Sequence, residues 1–145
     1  MAPRKLFEFL EHVSDAYVAA YGKTLEEAFE NVAVAMFNVM TDTRTVSPKN
    51  QEQIEITGED EYALLYNWLE SLLVKFETEN SLYSKFKVKL IKQVPSGYHL
   101  TAIIWGEPYN PERHPSKTGI KAVTYHQMEI IKQPGNVVVK VLFDI

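Results

Sequence analysis

An α+β fold is predicted by three observations. Two stretches, 25–40 and 61–79, carry apolar residues at helical spacing, and several others alternate apolar and polar at period two. The two kinds of stretch follow one another as β-β-α-β-α-β-β-β-β, without the regular alternation of a doubly wound parallel sheet. The expectation is two amphipathic helices packed on mostly antiparallel β-sheet. At 145 residues this implies one domain spanning 1–145, since domains commonly run to about 100–200 residues.

Taken in order, Leu6 to His12 reads as a strand, Val13-Ser14-Asp15 as a tight turn or a strand-to-strand bend with Asp15 at its tip or rim, and Ala16 to Tyr21 as a second strand. Gly22-Lys23-Thr24-Leu25-Glu26-Glu27 starts a helix, because Thr24 can accept the Glu27 amide while Glu27 reaches back to the Thr24 amide. Behind it Leu25, Ala28, Phe29, Val32, Ala33, Met36, Phe37 and Met40 form one stripe, and a stripe of this period predicts core packing. Asn50 to Thr57 reads as a strand exposed on one side. Asp60 is a candidate N-cap for a second helix, with Leu65, Trp68, Leu69, Leu72, Leu73 and Phe76 on its apolar face, and Glu59, Asp60 and Glu61 suit the positive end of that helix.

Lys85 to Leu90 alternates strictly, so Phe86, Val88 and Leu90 are expected to face inward with the lysines opposite. The lysines read either as a basic patch or as a solvated, protected sheet edge. Pro95-Ser96-Gly97 turns the chain into a strand from Tyr98 to Trp105. Gly106 to Gly119 holds three prolines and no period, and irregular loops of this length usually bind something or are disordered. Ile120 to Ile131, a turn at Pro134-Gly135-Asn136 and a last strand from Val137 to Asp144 complete the chain.

Composition excludes several functions. No cysteine is present, which removes thiol nucleophiles, thiolate zinc sites and redox motifs. With 19 acidic residues against 15 basic ones the net charge is −4, whereas a protein holding nucleic acid mainly by its phosphates is usually basic. Glu8 and Glu11 interrupt the N-terminus before a signal-like apolar core develops, and no apolar run approaches a membrane span, so a cytosolic protein is expected. There is no phosphate-cradling glycine loop, no His-Glu-x-x-His helix and no Gly-x-Ser-x-Gly elbow. His12, His99, His114 and His126 match no standard zinc spacing and read as hydrogen-bonding residues.

One acidic site depends on topology. If the first and last strands are neighbours, Asp15, Asp144 and the terminal carboxylate of Ile145 come together. Charges about 4 Å apart repel by roughly 4 kcal/mol at an effective dielectric of 20, which a divalent cation reverses. Calcium takes about six to eight oxygens, more than these groups supply, so the site would be open and finished by water or a partner. The alternative is that Asp15 caps a turn and the C-terminus frays.

The chain resembles the archease family, the small activators of the tRNA-splicing RNA ligase. The resemblance rests on Phe9-Leu10-Glu11-His12-Val13-Ser14-Asp15, Tyr21 to Phe29, Asn67-Trp68-Leu69, Gly106 to His114, Lys121-Ala122-Val123-Thr124-Tyr125-His126 and the terminal Phe143-Asp144. The family's first motif is similar to His-Thr-Ala-Asp; here it is His12-Val13-Ser14-Asp15, so the aspartate's role carries over and that of a hydroxyl at position 13 does not. The resemblance implies a non-enzymatic protein cofactor that speeds guanylylation of the ligase, supports multiple turnover and touches RNA only through the ligase. It implies Asp15 and Asp144 as metal-binding acids beside the Ile145 carboxylate, with calcium the first candidate and magnesium or manganese the others. Lys121 and His12 are then partner-facing residues for activation. Two other classes are a chaperone-like binding protein for RNA-processing enzymes, such as a tRNA methyltransferase, and a metal-dependent hydrolase.

Overall fold

The computed structural model describes residues 5–10 and 15–145. In chain order the elements are β1 (Phe7–Leu10), β2 (Asp15–Gly22), α1 (Leu25–Met40), a 3-10 turn (Thr43–Thr45), β3 (Asn50–Gly58), α2 (Glu61–Glu79), β4 (Ser81–Val94), β5 (Gly97–Pro108), β6 (Ala122–Gln133) and β7 (Asn136–Asp144). The strands make two antiparallel sheets, ordered β1-β2-β7-β6 and β3-β5-β4. Helix α1 packs against β2 and β4, and α2 against β3 and β6, so each helix touches both sheets. The class is α+β, with two helices on antiparallel sheet as the patterning implies.

The helices form where the period of 3.6 gathers apolar side chains. Phe29, Val32, Met36 and Phe37 of α1 and Leu64, Leu65, Trp68, Leu69 and Leu72 of α2 are fully buried. Each such large side chain contributes roughly 1.5–3 kcal/mol of transfer free energy. The indole of Trp68 has one polar atom to satisfy, and its Nε1 donates to the Phe29 carbonyl at 3.0 Å, tying α2 to α1 inside the core. Both starts are capped. Thr24 accepts from the Glu27 amide at 3.1 Å and Asp60 from the Ala63 amide at 2.8 Å. The return bond of the first cap differs from expectation: Glu27 accepts from the Lys23 amide at 2.9 Å rather than that of Thr24.

Four further expectations are corrected. The neighbour of the last strand is β2, while β1 lies at the edge of the sheet. Asp15 is not a turn residue but the first residue of β2, directly opposite Asp144. Leu90 does not face inward and is 47% exposed, because the pairing of β4 with β5 slips between Val88 and Leu90. One extra residue there turns the following side chains to the other face. The last long hairpin also breaks register: four residues, Tyr125 to Met128, span the step from Thr124 to Glu129 on β6, while β7 advances only from Leu142 to Lys140.

The free edge of β4 is covered by side chains rather than by another strand. Glu30 and Glu26 of α1 accept from the amides of Val88 at 2.8 Å and Ile91 at 3.4 Å. This occupies donors that would otherwise template an incoming strand. Burial raises the Glu30 carboxyl above its usual range, against the lowering effect of the Val88 amide.

Candidate functional site

The two ends of the described sheet converge on one corner. Antiparallel pairing places Asp15 of β2 opposite Asp144 of β7, and Asp144 in turn opposite Ala122 of β6. Directly opposed residues share a face, with Cβ atoms about 4.5–5.5 Å apart, and like charges in that position destabilise the pair. Both aspartates are half-buried. The side chain of Ile145, one residue beyond Asp144, packs against the core. The Lys121 amide donates to the Asp144 carbonyl at 2.7 Å, which fixes the exposed Lys121 next to this corner.

A second strand feature borders it. Tyr17, two residues along β2 on the same face as Asp15, donates its hydroxyl to the Gln127 carbonyl at 2.7 Å. Gln127 sits at φ 57° inside the β6 bulge, a left-handed conformation that non-glycine residues adopt only when held. Patterning did not identify this contact, since a tyrosine in an alternating strand carries no mark of its partner 110 residues away.

The stretch from Gly106 to Gly119 is held by its own buried charge. Its first residues, Gly106 to Pro108, belong to β5; a Cβ on Gly106 would overlap the Leu82 carbonyl oxygen, so β4 and β5 approach closely only with glycine there. Glu107, 6% exposed, accepts from the Ser47 amide at 2.9 Å, stands 2.8 Å from His114 Nε2 and 3.1 Å from Arg113. The Asn110 amide donates to His114 Nδ1 at 2.9 Å, which leaves the ring proton on Nε2, aimed at Glu107. The Ser47 amide, then His114 and Arg113, hold the Glu107 carboxyl below the usual carboxylate range against the cost of burial. Farther on, the amides of Lys117 and Thr118 donate to the Met40 and Val39 carbonyls, and Lys117 Nζ to the Asn38 carbonyl at 2.6 Å. These are the orphan carbonyls of the α1 C-terminus, where a cation is also favoured by the helix dipole. The segment is thus a strap that closes α1, buries Ile120 and delivers Lys121 to Asp144.

Of the sequence-derived site residues, Asp15, Asp144, Ile145 and Lys121 meet at one corner. His12 lies outside the described residues. His99 sits 3.2 Å from Glu55 and His114 against Glu107, while His126 is exposed in the β6 bulge. Among the described residues no three His, Cys, Asp or Glu side chains are grouped to hold a metal ion. The corner therefore offers two aspartate side chains. This all-oxygen set fits a hard cation and leaves most of a shell to water or a partner.

Comparison with known proteins matches the chain over nearly its full length. The profile of the Archease protein family matches residues 7–145. Protein archease of Methanosarcina mazei is 44% identical over 141 residues, covering 97% of each chain. Protein archease of Sulfurisphaera tokodaii is 47% identical over 130 residues, covering 90% of this chain and 91% of the relative. The solution structure of protein 1598 of Methanobacterium thermoautotrophicum superposes with a TM-score of 0.84 at 46% identity, covering 97% of this chain and 99% of that one. The crystal structure of a Thermotoga maritima archease, described as a possible chaperone, shares the fold with a TM-score of 0.62 at 16% identity.

Proposed function

The chain belongs to the archease family, and from that premise we propose that it is a non-enzymatic protein cofactor of the tRNA-splicing RNA ligase in the cytoplasm. It promotes guanylylation of the ligase and multiple turnover. The observation that carries this reading is the register that sets Asp15 opposite Asp144. Two aspartates held side by side at a sheet corner cost stability in isolation, and a cation with a partner surface relieves that cost. Asp15, Asp144 and the Ile145 carboxylate would hold a divalent cation, calcium first, with magnesium or manganese as the other candidates. When bound, it supplies positive charge and open coordination positions at the surface that docks on the ligase.

The chain's own residues have separable roles. The aspartates bind, Ile145 packs on the core beside them, and the strap from Tyr109 to Lys121 fixes the Lys121 backbone at the corner, from which its exposed ammonium can pair with a carboxylate or phosphate of the complex. The test is multiple-turnover RNA ligation with limiting ligase, with no addition, with this protein, and with its Asp144→Ala variant. The parent should raise turnover and the folded variant should not; equal activity of the two overturns the acidic site.

A second reading is favoured by the description of the Thermotoga maritima relative as a possible chaperone. A chaperone-like protein for RNA-processing enzymes, such as a tRNA methyltransferase, would suppress aggregation of its client equally well with Asp144→Ala, because holding apolar surface does not depend on one carboxylate.

A further inference from the structure

The outer face of the second sheet gathers positive charge on an otherwise acidic protein. The pairing of β3, β5 and β4 lays out its rows: Gln51, Trp105, Lys85; Gln53, Ile103, Lys87; Glu55, Thr101, Leu90; and Thr57, His99, Lys92. Lys89, the extra residue at the slip in β4, is exposed beside Leu90. Four lysines, at 85, 87, 89 and 92, thus line one strand. The carboxylate in these rows is Glu55, which stands against His99 at 3.2 Å. Among the described residues none of the four lysines is in an ion pair. The Lys87 charge reaches Glu30 only as a weaker electrostatic effect at the strand edge. Since the whole chain carries −4, this face is a local reversal of sign.

The middle strand adds an aromatic platform. Trp105 is half-buried on the middle strand in the end row of the face, its Nε1 donating to Gln51 at 3.1 Å, and the Lys85 ammonium lies 4.6 Å from the ring centroid. Half-exposed Ile103 and exposed Leu90 extend the apolar surface. Lysines beside a central-strand aromatic on an open sheet are the chemistry that recognises single-stranded nucleic acid, where bases stack and lysines neutralise the backbone. Lys85 to Lys92 spans about 20 Å along the strand, suited to a footprint of a few nucleotides. The side chains of these rows are exposed or half-buried, so the face is open to solvent. We propose that the β3-β5-β4 face binds single-stranded RNA through Lys85, Lys87, Lys89 and Lys92, with Trp105 stacking on a base. A base arriving on the indole displaces the Lys85 ammonium, which is then free to meet a phosphate. This surface is separate from the acidic corner, and its test needs neither ligase nor divalent cation.

The probe is a fluorescein-labelled, mixed-sequence single-stranded 12-nucleotide RNA followed by anisotropy. Each neutralised phosphate contributes about −0.7 to the slope of log affinity against log salt, so four lysines predict on the order of a 50-fold loss between 50 and 200 mM salt. The variant Lys87→Glu/Lys89→Glu, unchanged in melting temperature, should bind at least about 10-fold more weakly at 50 mM. Trp68 is fully buried, so quenching of tryptophan emission by unlabelled RNA reports on Trp105 and should vanish in Trp105→Phe. Absence of binding, or binding undiminished in the charge-reversal variant, overturns the proposal. Equal competition by polyglutamate would overturn it in favour of an acidic protein partner, and equal competition by duplex RNA would remove the stacking role.

Discussion

Two regions of this molecule handle negative charge in opposite ways. At Glu107 a buried carboxylate is met from within the chain by the Ser47 amide, the His114 ring and Arg113. At the acidic corner the sheet register sets Asp15 against Asp144, with the Ile145 side chain packed on the core next to them. The first arrangement stabilises the fold and closes on itself. The second lies at the end of its sheet, half-buried, where the proposed cation and partner would reach it.

The sharpest way to break the contrast is at Glu107. Removing one partner of a buried pair strands the others, so Glu107→Ala should lower the unfolding free energy by about 3 kcal/mol in urea titrations. The acid limb gives a second readout. Because the folded Glu107 carboxyl lies below its unfolded value, its contribution is present above the unfolded value and is lost as pH falls through the folded one. The parent should therefore lose stability in acid more steeply than Glu107→Gln. A variant that melts like the parent would mean that the strap is held by its backbone bonds to α1 alone.

The corner should respond with the opposite sign. Without divalent cation, Asp144→Asn relieves the opposed charges and should raise stability by about 0.2–1 kcal/mol. With millimolar calcium the parent should gain melting temperature and the variant should not, because binding to the folded state alone stabilises it. A parent unmoved by calcium, magnesium and manganese would leave the corner without a cation of its own and shift the role of the aspartates to a cationic group on the partner.

How much of this was readable beforehand follows from what each feature depends on. The helices were plain because a 3.6-residue period and two capping residues are local. The slip at Lys89 was invisible, since an extra residue changes no composition and Leu90 continues an unbroken alternation. The stretch Gly106 to Gly119 reads as structureless because its partners are remote: Lys117 and Thr118 close a helix that ends 77 positions before Lys117, Lys117 on the carbonyls of Asn38 and Met40 and Thr118 on that of Val39. The corner stood between these cases. Its residues were named from the two chain ends and from family likeness, but their adjacency required β2, not β1, to take the place beside β7.

The smallest expected effect lies between the two regions, at Glu30. This carboxylate caps the Val88 amide on the edge of β4, as Glu107 caps Ser47, yet burial raises it where its hydrogen bonds depress Glu107. With the folded value above the unfolded one, the folded state holds the proton more tightly. Stability contributed by the protonated form is then present below the unfolded value and is lost as pH rises through the folded one. Glu30→Gln keeps an acceptor for the Val88 amide and removes that loss. It should be neutral to slightly stabilising at pH 7, within about 0.5 kcal/mol, and its stability should vary less with pH across the carboxylate range. Clear destabilisation at pH 7 would show instead that Glu30 acts through its charge, with Lys87 as the counter-ion, and the edge of β4 would then belong with Glu107 among the internally neutralised sites.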